Sequence, residues 1–418
     1  MNPRDLILEL AKNAKAAAAV LAAMEPNMKN RALQAMADAL QDHYGELQEA
    51  NKLDLEMGQA QGKSAAFLDR LLLNEKRIQA MADSIRQVAA LDDPVGEIYD
   101  MRTRPNGLRV GRMRVPIGVI GFIYESRPNV TSDAACLCVK SGNAVILRGG
   151  SEAINSNRKI ADVIREAGIR EGLPRGAVQL VPVTEREVVI EMLKLNYYID
   201  LIIPRGGRAL IETVVKNSTI PVIKHHDGNC YNYVDASADV TMANRIILNA
   251  KTQRPGVCNA VESLLIHQQI ADQLLPILIP ALEKAGVEIR ACEQVRARYP
   301  HLKQATQEDW LTEYLALILS VKIIESLEAA IIFINTYGSH HTDAIITQDH
   351  NSAMTFLNRV DSACVFVNAS TRFSDGGEFG MGCEVGISTD KLHARGPMGL
   401  KELTTSKFIV FGSGHTRE

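Results

Sequence analysis

The amino-acid sequence predicts an α/β fold with parallel sheets in two α/β domains. Three observations carry the α/β part of this prediction. Short apolar runs alternate with helical segments from Pro116 onward, the runs 144–147 and 199–203 stop at arginine, proline and glycine residues, and the chain has 418 residues. Continuous apolar strands are buried on both faces, as in a parallel sheet covered by helices. A chain of this length exceeds one ordinary core, so two or three domains are expected.

Composition and charge favour a globular protein without nucleic-acid or membrane partners. The chain is 46% hydrophobic and 23% charged, and its formal net charge is −3. Nucleic-acid-binding domains are usually basic. The seven cysteines are scattered, without the spacing of a disulfide framework, which favours a reducing cytoplasm. The first residues lack the order of a signal peptide, and no apolar run approaches the roughly 18 residues of a membrane helix. We therefore expect a cytoplasmic location.

The first ninety residues predict helices, and a strand of different character follows them. Apolar residues recur at the spacing of one helix face, Pro26 suits a first helical turn, and Asn74 suits an N-cap. Residues 108–115 alternate apolar residues with arginines. That alternation predicts a half-exposed strand, which could project and pair with another subunit.

Two sets of alternating strands and helices make up most of the remaining chain. The first set has predicted strands at residues 117–124, 144–147, 178–183 and 199–203. The second has predicted strands at residues 263–267, 287–291, 317–324 and 344–347. The boundary between the two α/β units is expected near Ala250, and the tail ends in another apolar strand.

Two strand-to-helix junctions repeat one pattern, Arg148-Gly149-Gly150 and Arg205-Gly206-Gly207. Free backbone N–H groups and the positive end of the helix dipole would make such a junction an anion site. Glycine allows close approach of a phosphate, and arginine can bind it through two donors. A glycine pair can also serve only a tight turn, but two such junctions in one parallel sheet favour a phosphate-bearing cofactor. The G-x-G-x-x-G fingerprint is absent from the sequence.

The segment 251–260 places Cys258 after a Pro255-Gly256 turn, with Lys251 and Arg254 upstream. Nearby cations on a partly exposed turn favour the thiolate, which is the nucleophilic form of cysteine. The alternative is a small buried hydrophobic residue, the usual role of a free cysteine.

A second candidate segment, 125–131, follows the first predicted strand and contains Arg127 and Asn129. An asparagine amide can stabilise an oxyanion, although this segment taken alone favours the more common role of capping the next helix. The adjacent histidine pairs lack metal-ligand spacing, so no metal site is predicted.

Motifs spread along the chain resemble the aldehyde dehydrogenase superfamily and, within it, the gamma-glutamyl phosphate reductases, also called glutamate-5-semialdehyde dehydrogenases. The resemblance runs nearly from end to end. It rests on residues 114–121, 124–131, 142–150, 203–207, 251–259, 367–373 and 393–400. The last three motifs are specific to the reductases.

The resemblance implies a subunit of three parts. Residues 1–105 and 117–250 would bind NADP, residues 251–385 would form the catalytic domain, and residues 106–116 and 386–418 would mediate homo-oligomerisation. It further implies that NADPH reduces L-glutamyl 5-phosphate to L-glutamate 5-semialdehyde and phosphate through a cysteine thioester, in proline biosynthesis. A glutamate 5-kinase would be the candidate partner that supplies the substrate.

Carried over residue by residue, Cys258 matches the family nucleophile and Asn129 the oxyanion donor. Arg148 stands where the wider superfamily has a lysine near the adenosine ribose, which suits the 2′-phosphate of NADP. Glu313 matches the carboxylate that holds the nicotinamide ribose. Gly206 and Gly207 match the loop that faces the cofactor phosphates. Gly149, Gly150 and Ser151, at the other arginine-glycine junction, are further candidates for cofactor binding. Arg127 and Arg372 are candidate cations for the phosphate and the carboxylate of the substrate.

One departure from the superfamily concerns the general base. Where hydrolytic relatives have a glutamate, this sequence has His225-His226-Asp227-Gly228. A reductase of an acyl phosphate needs no activated water, so the loss is consistent with that reaction. Two alternatives remain: an aldehyde dehydrogenase for another small aldehyde or acyl phosphate, and a dinucleotide-binding protein without catalysis.

Overall fold

The computed structural model describes residues 2–224 and 227–417. These residues form two compact units. The first draws on residues 2–224, 380–386 and 398–417, and the second on residues 227–379 and 387–397. The predicted boundary at Ala250 falls inside a helix of the second unit, and the roles assigned to the predicted domains stay predictions.

Helices make up the N-terminal part of the first unit. They are α1 (Pro3–Leu21), α2 (Pro26–Asp42), α3 (Tyr44–Ala60), α4 (Ala65–Leu71) and α5 (Glu75–Ala90). Pro26 opens α2, and the Asn74 side chain caps α5 by accepting a hydrogen bond from the N–H of Arg77, so both predictions are confirmed. Helix α2 packs against α5 and places its apolar stripe in the core.

A four-stranded parallel sheet follows in the same unit. The chain runs through β1 (Ile98–Thr103), β2 (Arg109–Pro116), β3 (Val119–Tyr124), α6 (Val130–Lys140), β4 (Ala144–Gly149), α7 (Ile154–Arg170), β5 (Val178–Leu180), α8 (Arg186–Met192), β6 (Leu201–Arg205) and α9 (Arg208–Asn217). The strand order is β5-β4-β3-β6, with every pair parallel. Strands β4, β3 and β6 are therefore neighbours, and the loops at their carboxyl ends share one edge of the sheet.

The second unit contains a seven-stranded parallel sheet. Its elements are β7 (Cys230–Val234), α10 (Val240–Thr252), β8 (Val261–His267), α11 (Gln268–Lys284), β9 (Glu288–Ala291), α12 (Glu293–Arg296), β10 (Lys303–Gln304), β11 (Ile318–Ile324), α13 (Leu327–Tyr337), β12 (Thr342–Ile346), α14 (His350–Arg359) and β13 (Cys364–Val367). The order is β10-β9-β11-β8-β7-β12-β13. Residues of α10 and α11 pack in one core cluster with this sheet, and residues of α13 and α14 pack in another. The parallel α/β prediction is confirmed, although the sequence did not predict β7, α10, α12, β10 or β13.

Three strands close the chain: β14 (Ile387–Ser388), β15 (Gly396–Pro397) and β16 (Thr404–Phe411). In the first unit, β16 pairs antiparallel with β2, and β2 pairs with β1. The strand predicted from alternating arginines is thus confirmed as β2, and Arg112 lies over the ring of Phe408 with 4.8 Å from its guanidinium carbon to the ring centroid. Among the described residues, no helix is long and apolar enough to cross a membrane.

Candidate active site

Cys258 lies on the turn that connects the end of α10 to the start of β8, and its side chain is partly exposed. The backbone of this turn is packed tightly against Gly228. A Cβ atom placed on Gly228 would lie 2.1 Å from the carbonyl oxygen of Cys258 and 2.5 Å from its Cα, so only glycine fits there. The buried Cys230 thiol donates a hydrogen bond of 3.1 Å to the same carbonyl oxygen. Cys258 is therefore a partly exposed thiol on a backbone that is held from behind.

Lys251 does not act as an exposed cation beside the thiol, which corrects one part of the sequence-based interpretation. Its side chain is fully buried, and its Nζ forms an ion pair with Glu262, whose side chain is also fully buried. The same Nζ donates a hydrogen bond of 2.9 Å to the carbonyl oxygen of Val261. The amphipathic α10 turns this position toward the core, whereas Arg254 on the turn is exposed.

Glu313 lies in the loop before β11 and contacts the part of the second unit that supports the nucleophile. Burial raises the pKa of Glu313, and the nearby N–H of Gly228 acts in the opposite direction. Gly228 thus contacts both Cys258 and Glu313, so the structure places these two predicted residues around one glycine.

Arg372 also lies at the nucleophile turn. Its Nε donates a hydrogen bond of 2.8 Å to the amide oxygen of Gln253, and another guanidinium nitrogen bonds the side-chain oxygen of Asn259. Burial, followed by repulsion from Arg254, lowers the pKa of Arg372. Arg372 therefore holds the turn, and its assignment to the substrate stays a prediction.

Asn129 belongs to the first unit and directly precedes α6. Its side chain makes no capping hydrogen bond to that helix, so the alternative role of a helix cap is not the one observed. The Nδ2 atom donates instead to the carboxylate of Asp133 at 2.8 Å, and the side chain is exposed. Burial raises the pKa of Asp133 to about 6, whereas the Asn129 hydrogen bond favours the charged form. Arg127, two residues earlier, is exposed.

The predicted cofactor residues of the first unit lie at the carboxyl ends of strands β4 and β6, which both pair with β3. Arg148 and Gly149 end β4, and Gly150 and Ser151 follow, while Gly206 and Gly207 follow β6. Arg148 is held in place by hydrogen bonds of 3.0 Å to the carbonyl oxygen of Gly149 and 2.8 Å to that of Thr184. Its Nε is buried and has no hydrogen-bond partner among the described residues.

Carboxylates of the chain itself occupy the backbone donors at both junctions. The N–H of Gly207 donates to Glu125 at 2.9 Å, and a Cβ on Gly206 would lie 2.4 Å from the same carboxylate. At the other junction, Asp54 accepts hydrogen bonds from the N–H of Ser156 at 2.8 Å and of Asn155 at 3.2 Å, at the start of α7. The sequence-based interpretation assumes that these N–H groups are free. In the structure they are occupied, because acidic side chains distant in sequence accept their hydrogen bonds.

Three contributors to the site were missed in the sequence: Glu125, Gly228 and Glu262. Glu125 and Gly228 stand inside motifs in which other residues carry the predictions. Glu262 is the one carboxylate in a mostly apolar strand. A charged residue in such a strand was the one signal that pointed to a buried partner. His225 and His226 lie outside the described residues. Among the described residues, no group of acidic, histidine or cysteine side chains could hold a metal ion.

The chain is similar to known proteins in both sequence and fold. The sequence profile of the aldehyde dehydrogenase family matches residues 4–296. The gamma-glutamyl phosphate reductase of Caldanaerobacter subterraneus subsp. tengcongensis is 56% identical over 408 residues, which are 98% of this chain and 99% of the relative. The crystal structure of gamma-glutamyl phosphate reductase from Thermotoga maritima has a TM-score of 0.96 and 48% identity, covering 99% of this chain and 100% of that one. An engineered glycolyl-CoA reductase with bound NADP⁺ shares the fold, at a TM-score of 0.70 and 17% identity, over 97% of this chain and 96% of that one.

Proposed function

The chain belongs to the gamma-glutamyl phosphate reductases of the aldehyde dehydrogenase family, and from this premise we propose that it reduces L-glutamyl 5-phosphate with NADPH. The products would be L-glutamate 5-semialdehyde, phosphate and NADP⁺, a step of proline biosynthesis. The observation that carries the proposal is the 56% identity to a reductase over 98% of the chain. The partly exposed thiol of Cys258 on a fixed backbone is the feature of the second unit that suits this chemistry.

The residues of the first unit fit an NADP cofactor. The Nε of Arg148, which is buried and has no hydrogen-bond partner in the described part of the chain, is a donor that a 2′-phosphate would satisfy. Two carbonyl oxygens already orient its guanidinium. The glycines at positions 149, 150, 206 and 207, with Ser151, would allow a diphosphate to approach the backbone. Glu125 would have to leave Gly207 for this to occur. Glu313 would accept hydrogen bonds from the hydroxyl groups of the nicotinamide ribose.

In the proposed mechanism, the Cys258 thiolate attacks the carbonyl carbon of the acyl phosphate. The N–H of Cys258 and the amide of Asn129 would donate to the oxyanion that forms, and each such donor typically contributes on the order of 3 kcal/mol. Phosphate then leaves, and the acyl group remains on Cys258 as a thioester. Bound NADPH supplies the hydride that reduces this thioester to the aldehyde.

Two features of the chain would direct the thioester away from hydrolysis. The superfamily's general-base position is occupied by the sequence 225–228, and Gly228 leaves no room for a side chain against Cys258. Water would therefore lack the glutamate base of the hydrolytic relatives, and Asp227 or a histidine of this segment is the only substitute that the sequence offers there. Arg127 and Arg372 are the proposed cations for the phosphate and the glutamyl carboxylate.

Homo-oligomerisation is a second part of the proposal, and the edge strand β16 supports it. Phe408 is 67% exposed and Val410 is 56% exposed on this strand, which pairs only with β2 in the described part of the chain. Unpaired strand edges with apolar side chains favour pairing with another chain. A glutamate 5-kinase remains the proposed source of the unstable acyl phosphate.

A spectrophotometric assay in the reverse direction tests the function. Purified enzyme would be mixed with L-glutamate 5-semialdehyde, phosphate and either NADP⁺ or NAD⁺. We expect NADPH to form only when phosphate is present, and more slowly or not at all with NAD⁺. Formation of reduced cofactor without phosphate would favour the alternative, an aldehyde dehydrogenase of another specificity, and no turnover with any aldehyde would favour a non-catalytic binding protein.

A further inference from the structure

Two segments of the second unit, each carrying a residue of the proposed reaction, are joined by one buried ion pair. Lys251 stands in the last turn of α10, directly before the nucleophile turn, and Glu262 stands at the start of β8, directly after it. Their ion pair therefore closes the base of the turn that carries Cys258. Val261 adds its carbonyl oxygen to the Lys251 ammonium at 2.9 Å, which fixes the same end of β8.

The second oxygen of Glu262 reaches the loop that carries Glu313. It accepts a hydrogen bond of 3.2 Å from the N–H of Leu315. Leu315 has a φ of 53°, a left-handed conformation that is strained for leucine, so this contact helps to hold the loop in an otherwise unfavourable shape. The carbonyl oxygen of Leu315 lies 3.8 Å from the position of a Cβ on Gly256, in the nucleophile turn itself.

These contacts form a closed circuit around the nucleophile. Cys258 packs on Gly228, the N–H of Gly228 lies near the Glu313 carboxylate, and the Glu313 loop is bound through Leu315 to Glu262. The ion pair between Glu262 and Lys251 connects this loop back to the base of the nucleophile turn. The relative position of Cys258 and Glu313 therefore depends on contacts at two points, one on each side of the turn.

Stability alone does not explain a buried pair at this place. Removing two charges from water costs free energy that their attraction often fails to recover, and apolar residues of similar volume usually serve as well. Burial raises the pKa of Glu262 to about 7 and lowers that of Lys251, as expected when both ions have lost their water. A hydrogen-bonding carboxylate, unlike an apolar side chain, can hold the N–H of Leu315.

We propose that Lys251 and Glu262 are positioning residues that set the nucleophile turn against the Glu313 loop. Glu262 acts as the acceptor that ties the two segments, and Lys251 holds Glu262 in place. This inference rests on the proposed roles of Cys258 and Glu313. Misplacing reacting groups by about 1 Å can cost on the order of 100-fold in rate, so the expected effect is on turnover rather than on substrate binding.

The first unit provides a matched control. Lys29 of α2 and Asp93 form a buried ion pair of 2.5 Å, and Asp93 likewise accepts a backbone hydrogen bond, from the N–H of Val95 at 2.9 Å. Like Lys251 and Glu262, this pair joins a buried lysine to a carboxylate that also accepts a backbone hydrogen bond. None of its described hydrogen bonds involves a predicted site residue. Variants of it report the cost of losing a buried pair as such.

The experiment compares two pairwise replacements with the control. Lys251→Met/Glu262→Met removes the acceptor for Leu315, Lys251→Gln/Glu262→Gln retains an oxygen for it, and Lys29→Met/Asp93→Met is the control. For each we would measure the thermal unfolding midpoint, kcat and KM in the reverse reaction, and hydrogen–deuterium exchange of the free enzyme in residues 252–260 and 312–317. Exchange requires neither substrate nor cofactor, so it tests the positioning even if the proposed function fails.

The Met pair is expected to remain folded, to exchange faster in those two segments only, and to lose on the order of 100-fold in kcat with little change in KM. The Gln pair is expected to keep protection at Leu315 and to recover kcat to within about 10-fold of the wild type. A Met pair with wild-type kcat, or an equal loss in the control, would overturn the proposal. Should the Met pair fail to fold, a 100-fold loss in the Gln pair with unchanged exchange would equally contradict it.

Discussion

Carboxylates bind backbone N–H groups in both units, but they do so in opposite surroundings. In the second unit, Glu262 is fully buried, its charge is matched by Lys251, and it holds the N–H of Leu315. In the first unit, Glu125 is exposed and lies on the N–H of Gly207, where the sequence predicts a cofactor phosphate. A buried, paired carboxylate cannot be exchanged cheaply for a ligand, whereas an exposed one can. The comparison contrasts a nucleophile region built for rigidity with one replaceable anion, Glu125, at the β6 junction, whereas Asp54 at the other junction is fully buried.

The largest expected effect is at the nucleophile, where the rigid region would carry the chemistry. Replacing Cys258 with alanine should lower kcat by on the order of 10⁴-fold or more, because no thioester can form. Unfolding should be unchanged, since the side chain is partly exposed. Steady-state kinetics of Cys292→Ala, another partly exposed cysteine of the same unit, provides the control, and equal losses in both variants would contradict the assignment.

Asn129 tests whether the first unit also contributes a fixed group. Asn129→Asp keeps the size of the side chain and removes its N–H donor, so kcat should fall by about 10²- to 10³-fold with a smaller change in KM. Asp133→Asn leaves the donor of Asn129 in place and serves as the comparison, with an expected loss below about 10-fold. An Asn129→Asp enzyme of normal kcat would assign the oxyanion to other donors.

Glu125 tests the idea of a replaceable anion directly. Glu125→Gln removes the negative charge that competes with a cofactor phosphate at Gly207, so NADPH should bind roughly two- to five-fold more tightly. Fluorescence titration of NADPH measures this, and Glu212→Gln on the same helix α9, where Glu212 pairs with Arg208, controls for net charge. Weaker binding in the Glu125 variant would instead make Glu125 a ligand of the cofactor.

The smallest effect concerns pH and separates buried from exposed carboxylates within the second unit. Burial raises the pKa of Asp343 to about 7, although the N–H of Tyr231 and the hydroxyl of Ser362 act in the opposite direction. The folded state therefore holds one more proton than the unfolded chain from about pH 4 to pH 7, and stability from this group falls as the pH rises through that range. Asp343→Asn should flatten the dependence of the unfolding midpoint there.

Asp361 should behave in the opposite way. Its ion pairs with Lys391 and Arg395 lower its pKa, so its contribution is present at neutral pH and is lost as the pH falls through the folded pKa. Asp361→Asn should destabilise at pH 7 and have no effect in acid. Thermal unfolding of both variants from pH 3 to pH 8 checks the two signs, and parallel curves would show that burial does not distinguish these carboxylates.

Much of the fold follows from local sequence. Continuous apolar runs bounded by glycine and proline predicted the parallel strands, because strands buried on both faces need apolar residues throughout. Strand β7 was missed because the run Cys230-Tyr231-Asn232-Tyr233-Val234 contains a polar residue at its centre and is short. Helix α10 was not predicted, because the expected domain boundary at Ala250 falls inside it.

The sequence by itself determined where the chemistry-bearing residues stand: a cysteine on a Pro-Gly turn and arginine-glycine junctions at strand ends. These are local properties, fixed by residue types a few positions apart. Only the tertiary structure decided that Lys251 faces Glu262 instead of the thiol, and that Glu125 reaches Gly207 across 82 positions of the chain. The reason is physical, since the order of strands and the face that a helix buries decide which charges meet and which ones water still reaches.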